Sequence, residues 1–189
     1  MARVIHVFRE PDRFVAGTVG QPGDRSFYLQ ASESVRTVSV LLEKQQVAVL
    51  AERIGTLLEE VKRQFGADVP DADTDSDVDT DPLTPPVEEE FRVGTMGLGW
   101  DAESEAVVIE VLAATEEEID ESVVLGDTEE GPDALRVFLT PAAARAFALR
   151  ADRVINAGRK PCPLCNQPLD PEGHVCPRTN GYRRVEQDD

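Results

Sequence analysis

A strongly acidic stretch in the middle of the chain limits how this sequence can fold. Residues 64–135 contain 23 Asp and Glu residues and a single base, Arg92, which gives this stretch a net charge of −22. Within it, residues 66–90 hold ten acids, four prolines and no aromatic side chain. A segment of this composition cannot bury enough apolar surface to offset the entropy that it loses on ordering. We therefore predict a mobile acidic linker over residues 67–90, with folded segments before and after it.

The two ends of the chain are close to neutral, so the overall negative charge does not describe the whole protein surface. Residues 1–63 have nine bases and eight acids, and residues 136–189 have nine bases and six acids. The net charge of −18 therefore comes from the middle, and it does not exclude an anionic ligand elsewhere. Together with the low content of one Trp and two Tyr, it argues against nucleic acid as a partner.

Length and composition are those of a soluble globular protein. The chain has 189 residues, of which 41% are hydrophobic and 30% are charged. It contains no apolar run of about eighteen residues, the length needed to cross a membrane. The N-terminal segment MARVIHVFREPDRF lacks the apolar stretch of a signal peptide. We therefore predict a cytoplasmic protein without a membrane partner, in which the three cysteines do not form a disulfide framework.

The residues before the linker predict a series of strands followed by one helix. Residues 4–8, 13–20, 26–31 and 37–42 are predicted to be strands, and in the last of these apolar residues alternate with polar ones. Apolar residues at intervals of three and four then predict the buried face of a helix, namely Val47, Leu50, Ala51, Ile54, Leu57, Leu58, Val61 and Phe65. Gly66 is a typical residue for the end of this helix.

The residues after the linker predict a similar order of elements. Strands are predicted over residues 91–97, 105–114 and 134–140, and a second acidic loop, residues 115–133, precedes the last of them. Thr140 and Pro141 are the residue types that begin a helix. Its apolar face consists of Ala144, Phe147, Ala148, Ala151, Val154 and Ile155, and Gly158 ends it.

Short stretches of the two parts resemble each other. Residues 17–20 (GTVG) align with residues 94–97 (GTMG) at an offset of 77, and VLLEKQQVAVLAER aligns with VFLTPAAARAFALR at an offset of 97. Any two β-β-β-α units align to some extent, so an internal duplication and a coincidence both stay open. We predict an α+β fold whose antiparallel sheet is built from two similar β-β-β-α halves, residues 1–66 and 91–158. The groove between such halves is the expected place for a ligand.

The three cysteines of the chain lie within fifteen residues and have the spacing of metal ligands. The pattern is Cys162-x2-Cys165-x8-His174-x-Cys176. Zinc prefers four such ligands in a tetrahedron, and a Cys-x2-Cys turn supplies two thiolates from one side. Four protein ligands leave no position for water, which favours a structural zinc over a catalytic one. Iron–sulfur clusters normally require four cysteines, and the zinc deaminase pattern requires an upstream His-x-Glu that His6 does not provide.

The segment that carries these ligands, residues 159–189, is too short to fold alone. We predict that it is a zinc loop and tail, and that the metal holds it to the body of the protein. Several cations lie near this loop, either as a solvated surface or as a patch for an anion, an acidic partner or the acidic linker itself. They are Arg150, Arg153, Arg159, Lys160, Arg178, Arg183 and Arg184.

Two long stretches resemble a known protein family. They are VFREPDRFVAGTVGQPGDRSFYLQA near the start and AGRKPCPLCNQPLDPEGHVCPRTNGYRR near the end. Both are similar to a conserved actinobacterial family catalogued as domain of unknown function 3090. The resemblance covers nearly the whole chain and implies a bacterial protein, but it implies no activity, substrate or catalytic residue.

Two functions are compatible with these features. The first is a cytoplasmic binding or adaptor protein that contains a structural zinc ion and binds a protein partner or an anionic small ligand. The alternative is an enzyme that acts on a phosphorylated or otherwise anionic small molecule in the groove between the halves. A pocket with converging polar groups of displaced pKa would favour the enzyme.

Overall fold

The computed structural model describes residues 2–71, 78–158, 160–167, 169 and 174–180. In this part of the chain, seven strands and two long helices form the fold. They are β1 (Ile5–Phe8), β2 (Arg13–Gln21), β3 (Asp24–Glu33), β4 (Arg36–Leu42), α1 (Lys44–Phe65), β5 (Glu89–Asp101), β6 (Ala106–Ala113), β7 (Ala134–Leu139) and α2 (Pro141–Asn156). The described residues also contain a 3-10 turn (Glu121–Val123) and a short helix α3 (Pro177–Asn180).

The ends of both long helices follow from local sequence. The backbone N–H of Glu43 donates to the side chain of Gln46 before α1, and Gly66 ends this helix with a left-handed φ of 64°. The hydroxyl of Thr140 accepts a hydrogen bond from the N–H of Ala143 at 3.2 Å, and Pro141 occupies the first turn of α2. Gly66, Thr140 and Pro141 have the positions that the sequence predicts, whereas α2 ends at Asn156, before the predicted Gly158.

All seven strands form one sheet, but this sheet is mixed and not antiparallel as predicted. The strand order is β1-β7-β6-β5-β4-β3-β2. Strands β2–β4 form one antiparallel meander and β5–β7 form another, whereas β4 pairs with β5, and β1 with β7, in parallel. Because α1 and the linker carry the chain back across the sheet, β5 starts at the same end as β4. Alternation within a strand carries no information on the direction of its neighbour, so the sequence could not indicate these two pairs.

The connection between β1 and β2 forces this sheet to curl. These strands lie at opposite ends of the strand order, yet only four residues separate them. Five Cα–Cα steps span about 19 Å at most, whereas six strand spacings in a flat sheet would require about 29 Å. β1 accordingly lies against the first meander, where it contacts β3. The guanidinium of Arg36, at the start of β4, donates to the carbonyl of Val7 and lies 3.9 Å from the ring centre of Phe8 on β1.

Both helices pack on one face of the curled sheet. α2 contacts β2 as well as β6 and β7, so it bridges the two ends of the strand order. The rings of Phe14 and Phe147 stack with their centres 4.7 Å apart at this contact. Each large apolar side chain buried in such a core stabilises the fold by about 1.5–3 kcal/mol. The core includes Leu29, Val40, Leu50, Ile54, Leu58, Val107, Ile109 and Val137.

The opposite face of the sheet is covered by the two acidic segments. A Cβ on Gly17 of β2 would lie 2.5 Å from Leu83 of the linker, and a Cβ on Gly97 of β5 would overlap Val124 of the second acidic loop. Both glycines therefore provide room for a side chain from a segment that follows in sequence. Leu83 is only 8% exposed in this position.

Part of the predicted acidic linker makes contacts with the folded body, and the mobility of the linker stays a prediction. The described residues 79–84 contact the sheet and α2, while the prediction for residues 72–77 lies outside the described residues. The average composition of the linker predicted that it is solvated. Residues 79–84 are nevertheless held against the sheet and α2 by Leu83 and a few hydrogen bonds. The domain boundaries drawn from the sequence stay predictions.

The two meanders have the same order of elements, three strands and then a helix. Leu50 of α1 and Phe147 of α2, which the alignment makes equivalent, are both 2% exposed. The parallel pairing between the meanders is short and irregular, with partners at Ser39–Glu89 and Leu41–Arg92. That the two halves arose by duplication stays a prediction.

Truncation of either equivalent core residue is expected to destabilise the protein. Leu50→Ala and Phe147→Ala should each lower the free energy of unfolding by about 2–5 kcal/mol, because each leaves a cavity that the rest of the core cannot fill. Urea denaturation followed by circular dichroism measures this loss. Val35→Ala is the control, since Val35 is fully exposed and should change the value by less than about 0.5 kcal/mol. A neutral result at one of the two core positions would contradict their equivalence.

Candidate metal centre

A tight turn presents the first two cysteines. The N–H of Asn166 donates to the carbonyl of Cys162, and the N–H of Cys162 donates to the carbonyl of Gln167, each at 2.8 Å. Asn166 has a positive φ of 60°, which asparagine adopts more readily than most residues. The chain thus reverses directly after Cys165, and both thiols belong to one compact loop.

Four potential ligand atoms meet beside this turn. The sulfur atoms of Cys162, Cys165 and Cys176 and a ring nitrogen of His174 all lie within 4.8 Å of one another. The Cys162 and Cys176 sulfurs are 3.9 Å apart, and the Cys165 sulfur is 3.3 Å from His174 Nε2. Ligands of a tetrahedral zinc ion, at about 2.3 Å for sulfur and 2.0–2.1 Å for nitrogen, are separated by about 3.5–3.8 Å. The four residues that the sequence spacing selected are therefore close enough to bind one metal ion.

The electrostatics of the cluster favour a cation. The backbone N–H of Gln167 lowers the pKa of the Cys165 thiol, but burial and the neighbouring Cys162 and Cys176 together raise this pKa above its ordinary value. Three thiols at this separation resist joint ionisation, because each thiolate would repel the others. A divalent cation reverses that balance, since it binds the thiolate forms and releases their protons.

The histidine faces the cluster with one nitrogen. His174 Nε2 points to the sulfur of Cys165, so binding through Nε2 leaves the ring proton on Nδ1. His174 Nδ1 is buried and has no hydrogen-bond partner among the described residues. Cys162 and Cys176 are also buried, at 5% and 6% exposure, so most of the donor set is shielded from water.

The predicted basic patch is divided in the structure. Lys160 and Arg178 are exposed beside the ligands, whereas Arg159, Arg183 and Arg184 lie outside the described residues. Arg150 is instead buried against the acidic linker, where its guanidinium donates to the carbonyls of Asp79 and Asp81. The linker therefore meets one arginine of the predicted patch.

Sequence reasoning missed a buried ion cluster on the sheet face opposite the helices. The fully buried carboxylate of Glu110 accepts hydrogen bonds from Arg3 at 2.8 Å and from Arg136 at 2.9 Å. Arg136 also contacts Asp127 at 2.5 Å, and this contact holds the pKa of Asp127 below its ordinary value. The sequence contains one indication of this cluster, because Glu110 interrupts the otherwise apolar strand AVVIEVLA.

A cleft of about 890 Å³ lies where the β1–β2 connection passes the end of β7. Arg9 lines it, with its guanidinium 4.7 Å from the ring centre of Phe138. Glu10 and Glu33 line it too, so positive and negative groups share the same space. The first meander and its N-terminal connection provide one wall, and residues 104–106 and 138–143 provide the other.

Comparison with known proteins places the chain in a family. The model of a family described as a protein of unknown function, DUF3090, matches residues 6–176. The chain belongs to this family. The match includes all four ligand residues of the cluster, and it confirms the family resemblance seen in the sequence of this DUF3090 protein. No curated protein and no solved structure matches the chain. An actinobacterial source stays a prediction.

Among the helices of the described residues of this DUF3090 protein, none combines the length and the apolar character that a membrane span requires. The longest, α1, has 22 residues but carries a polar face.

Removal of the Glu110 carboxylate is expected to destabilise the fold strongly. Glu110→Ala would leave two guanidinium groups in the interior without their shared anion, which should cost about 3–5 kcal/mol of unfolding free energy. Denaturation in urea measures this, with Glu52→Ala on the exposed face of α1 as the control. A loss as small as that of the control would show that the buried arginines do not depend on this carboxylate.

Proposed function

We propose that this DUF3090 protein binds one zinc ion at Cys162, Cys165, His174 and Cys176, and that the ion is structural. The observation that carries this proposal is the convergence of four ligand atoms within 4.8 Å. Three thiolates and one imidazole are a donor set that suits zinc, whereas iron–sulfur clusters generally use four cysteines. With four protein ligands, the ion keeps no position for a water molecule or a substrate.

The structural role follows from how little else holds the loop. Two short segments, residues 162–165 and 174–176, supply all the ligands, so a bound ion links them directly. Loops this small bury little apolar surface, and the free energy of metal binding becomes part of their folding free energy. The ion would therefore order the chain that follows α2.

We further propose that the protein is a cytoplasmic binding or adaptor protein and that the zinc loop contacts a partner. Leu164 and Val175, each next to a ligand, are 50% and 77% exposed. Lys160 and Arg178 are exposed on the same loop. Apolar side chains with cations around them suit an acidic protein surface better than a small metabolite. The metal would be required to hold these side chains in fixed positions for contact with the partner.

Metal content tests the zinc proposal. Native mass spectrometry should show one zinc ion per chain, and the ion should dissociate as the pH falls because protonated thiols do not bind it. His174→Asn should weaken binding at least tenfold, whereas His6→Asn, at the other histidine of the chain, should leave it unchanged. Equal loss in both variants would contradict the assigned ligands.

The structural role has its own test. Cys165→Ser should release the metal and increase amide hydrogen exchange after residue 158, while the sheet and α1 keep their protection, because the described core residues of the sheet and helices precede Gly158. Global unfolding would instead make the zinc loop part of the core. A spectroscopic signature of three protein ligands and one water would contradict the structural assignment and favour a catalytic ion.

A second candidate function is an enzyme acting on an anionic small molecule in the cleft beside Arg9. The favouring observation is its volume of about 890 Å³ between the two meanders. Phosphorylated metabolites should then raise the melting temperature and be consumed by the wild-type protein. Arg9→Gln should abolish consumption of the compound, and Arg53→Gln on the exposed face of α1 should not. No shift in the wild-type protein with any phosphorylated compound would exclude this candidate.

A further inference from the structure

Two arginines hold one carboxylate of the acidic linker. The Asp79 carboxylate accepts hydrogen bonds from Arg13 Nε at 2.5 Å and from Arg13 Nη2 at 3.1 Å, one to each oxygen. Arg150 Nη1 donates to the same carboxylate at 3.1 Å. Arg13 lies on β2 and Arg150 on α2, so the pair spans the contact between the sheet edge and the helix.

Arg150 keeps its position by a contact outside the linker, whereas the described side-chain hydrogen bonds of Arg13 all go to linker residues 79–84. Arg150 is only 6% exposed, and its Nε donates to the carbonyl of Ala16 on β2 at 2.9 Å. Burial, followed by the nearby charge of Arg13, lowers the pKa of Arg150, although the charge of Asp79 opposes this. Two guanidinium groups this close repel each other unless an anion lies between them. The fold thus builds a site that requires an anion.

The number of donors exceeds what one carboxylate can accept. The other N–H groups of the pair donate to backbone carbonyls of the linker, from Arg150 to Asp79 at 2.6 Å and Asp81 at 2.7 Å, and from Arg13 to Asp81 at 2.9 Å. A phosphate group offers three terminal oxygens, and planar guanidinium forks match them well. Cavities of about 160 and 180 Å³ adjoin Asp79 and Arg150, so there is space next to the pair.

Two neighbouring parts of the linker are held to the protein by different kinds of interaction. Next to the arginines the attachment is ionic, and the Asp79 carboxylate is 34% exposed to solvent. A few residues later, Arg13 Nη1 still donates to the carbonyl of Pro82 and the hydroxyl of Thr84, but contacts without any arginine are added. Leu83 packs over Gly17, and the side-chain amide of Gln30 exchanges two hydrogen bonds with the backbone of Thr84. A competing anion can therefore displace Asp79 while Leu83 and Thr84 stay in place.

From these contacts we propose that Arg13 and Arg150 form a binding site for the phosphate group of a phosphorylated ligand, which the chain's own Asp79 occupies as a competitor. Binding exchanges one anion for another, and the segment from Asp79 to Asp81 leaves the pair. This site does not include the metal centre, it borders the cleft beside Arg9 at Ala143, and it goes beyond the function proposed above.

Removal of the competitor tests the proposal. Calorimetric titration of the full chain with inorganic phosphate and with phenyl phosphate, at ionic strength held constant with sodium chloride, should give about tenfold tighter binding to Asp79→Asn than to the wild type. An intramolecular carboxylate acts at an effective concentration in the millimolar range, and its loss accounts for a change of this order. Asp81→Asn is the matched control, since it removes the same charge two residues away and keeps the backbone carbonyl; its affinity should change less than twofold.

The arginines are tested in the same background. Arg13→Gln combined with Asp79→Asn should abolish phosphate binding, and Arg53→Gln combined with Asp79→Asn should retain it. Arg13 is chosen because it is more exposed than Arg150, and circular dichroism verifies that each variant is folded. In the wild type, phenyl phosphate should increase hydrogen exchange over residues 79–81 and leave Thr84 protected. Equal phosphate affinity of Asp79→Asn and Asp81→Asn would overturn the proposal and leave the pair as a structural ion pair.

Discussion

The four-residue connection between β1 and β2 is the constraint on which the architecture depends. It joins the two ends of a seven-stranded order, and a flat sheet would place those ends out of its reach. Once the sheet curls, α2 can contact β2 and β7 at the same time, and the stacked rings of Phe14 and Phe147 mark that contact. The helices fill one face, and the other face is left for segments that are poor in apolar residues.

The acidic segments cover that second face by a combination of small apolar contacts and arginine–carboxylate bonds. Glu110 lies between Arg3 and Arg136, and Asp79 lies between Arg13 and Arg150. Each meander thus has a carboxylate shared by two arginines, although one carboxylate belongs to a strand and the other to the linker. Several of the acids in the middle of the chain are consequently partners of buried cations, and the surplus charge of −22 is in part internal to the fold.

The features that the sequence predicted correctly are local. Periodicity indicated α1 and α2, residue type indicated the caps at Gly66 and Thr140, and spacing indicated the cluster from Cys162 to Cys176. The features that it missed join distant residues, namely the parallel pair of β1 and β7 and the curl of the sheet. The contact of Asp79 with Arg150, which are 71 positions apart, is one of the alternatives that the sequence left open for the basic residues. Composition averages over a segment, whereas docking of the linker depends on Leu83 and two arginines. No local pattern encodes such pairs.

The parallel pairing of β1 with β7 has a consequence for biosynthesis. β1 contains the first residues of the sheet to leave the ribosome, and its partner strand, Ala134–Leu139, is among the last. The first meander and α1 can form while the chain is still growing, but β1 has to wait for a strand made more than a hundred residues later. Arg3 waits with it, because Glu110 and the loop around Pro132 supply its acceptors. β1 therefore stays unpaired until β7 has been made, and the sheet closes only after the first meander can form.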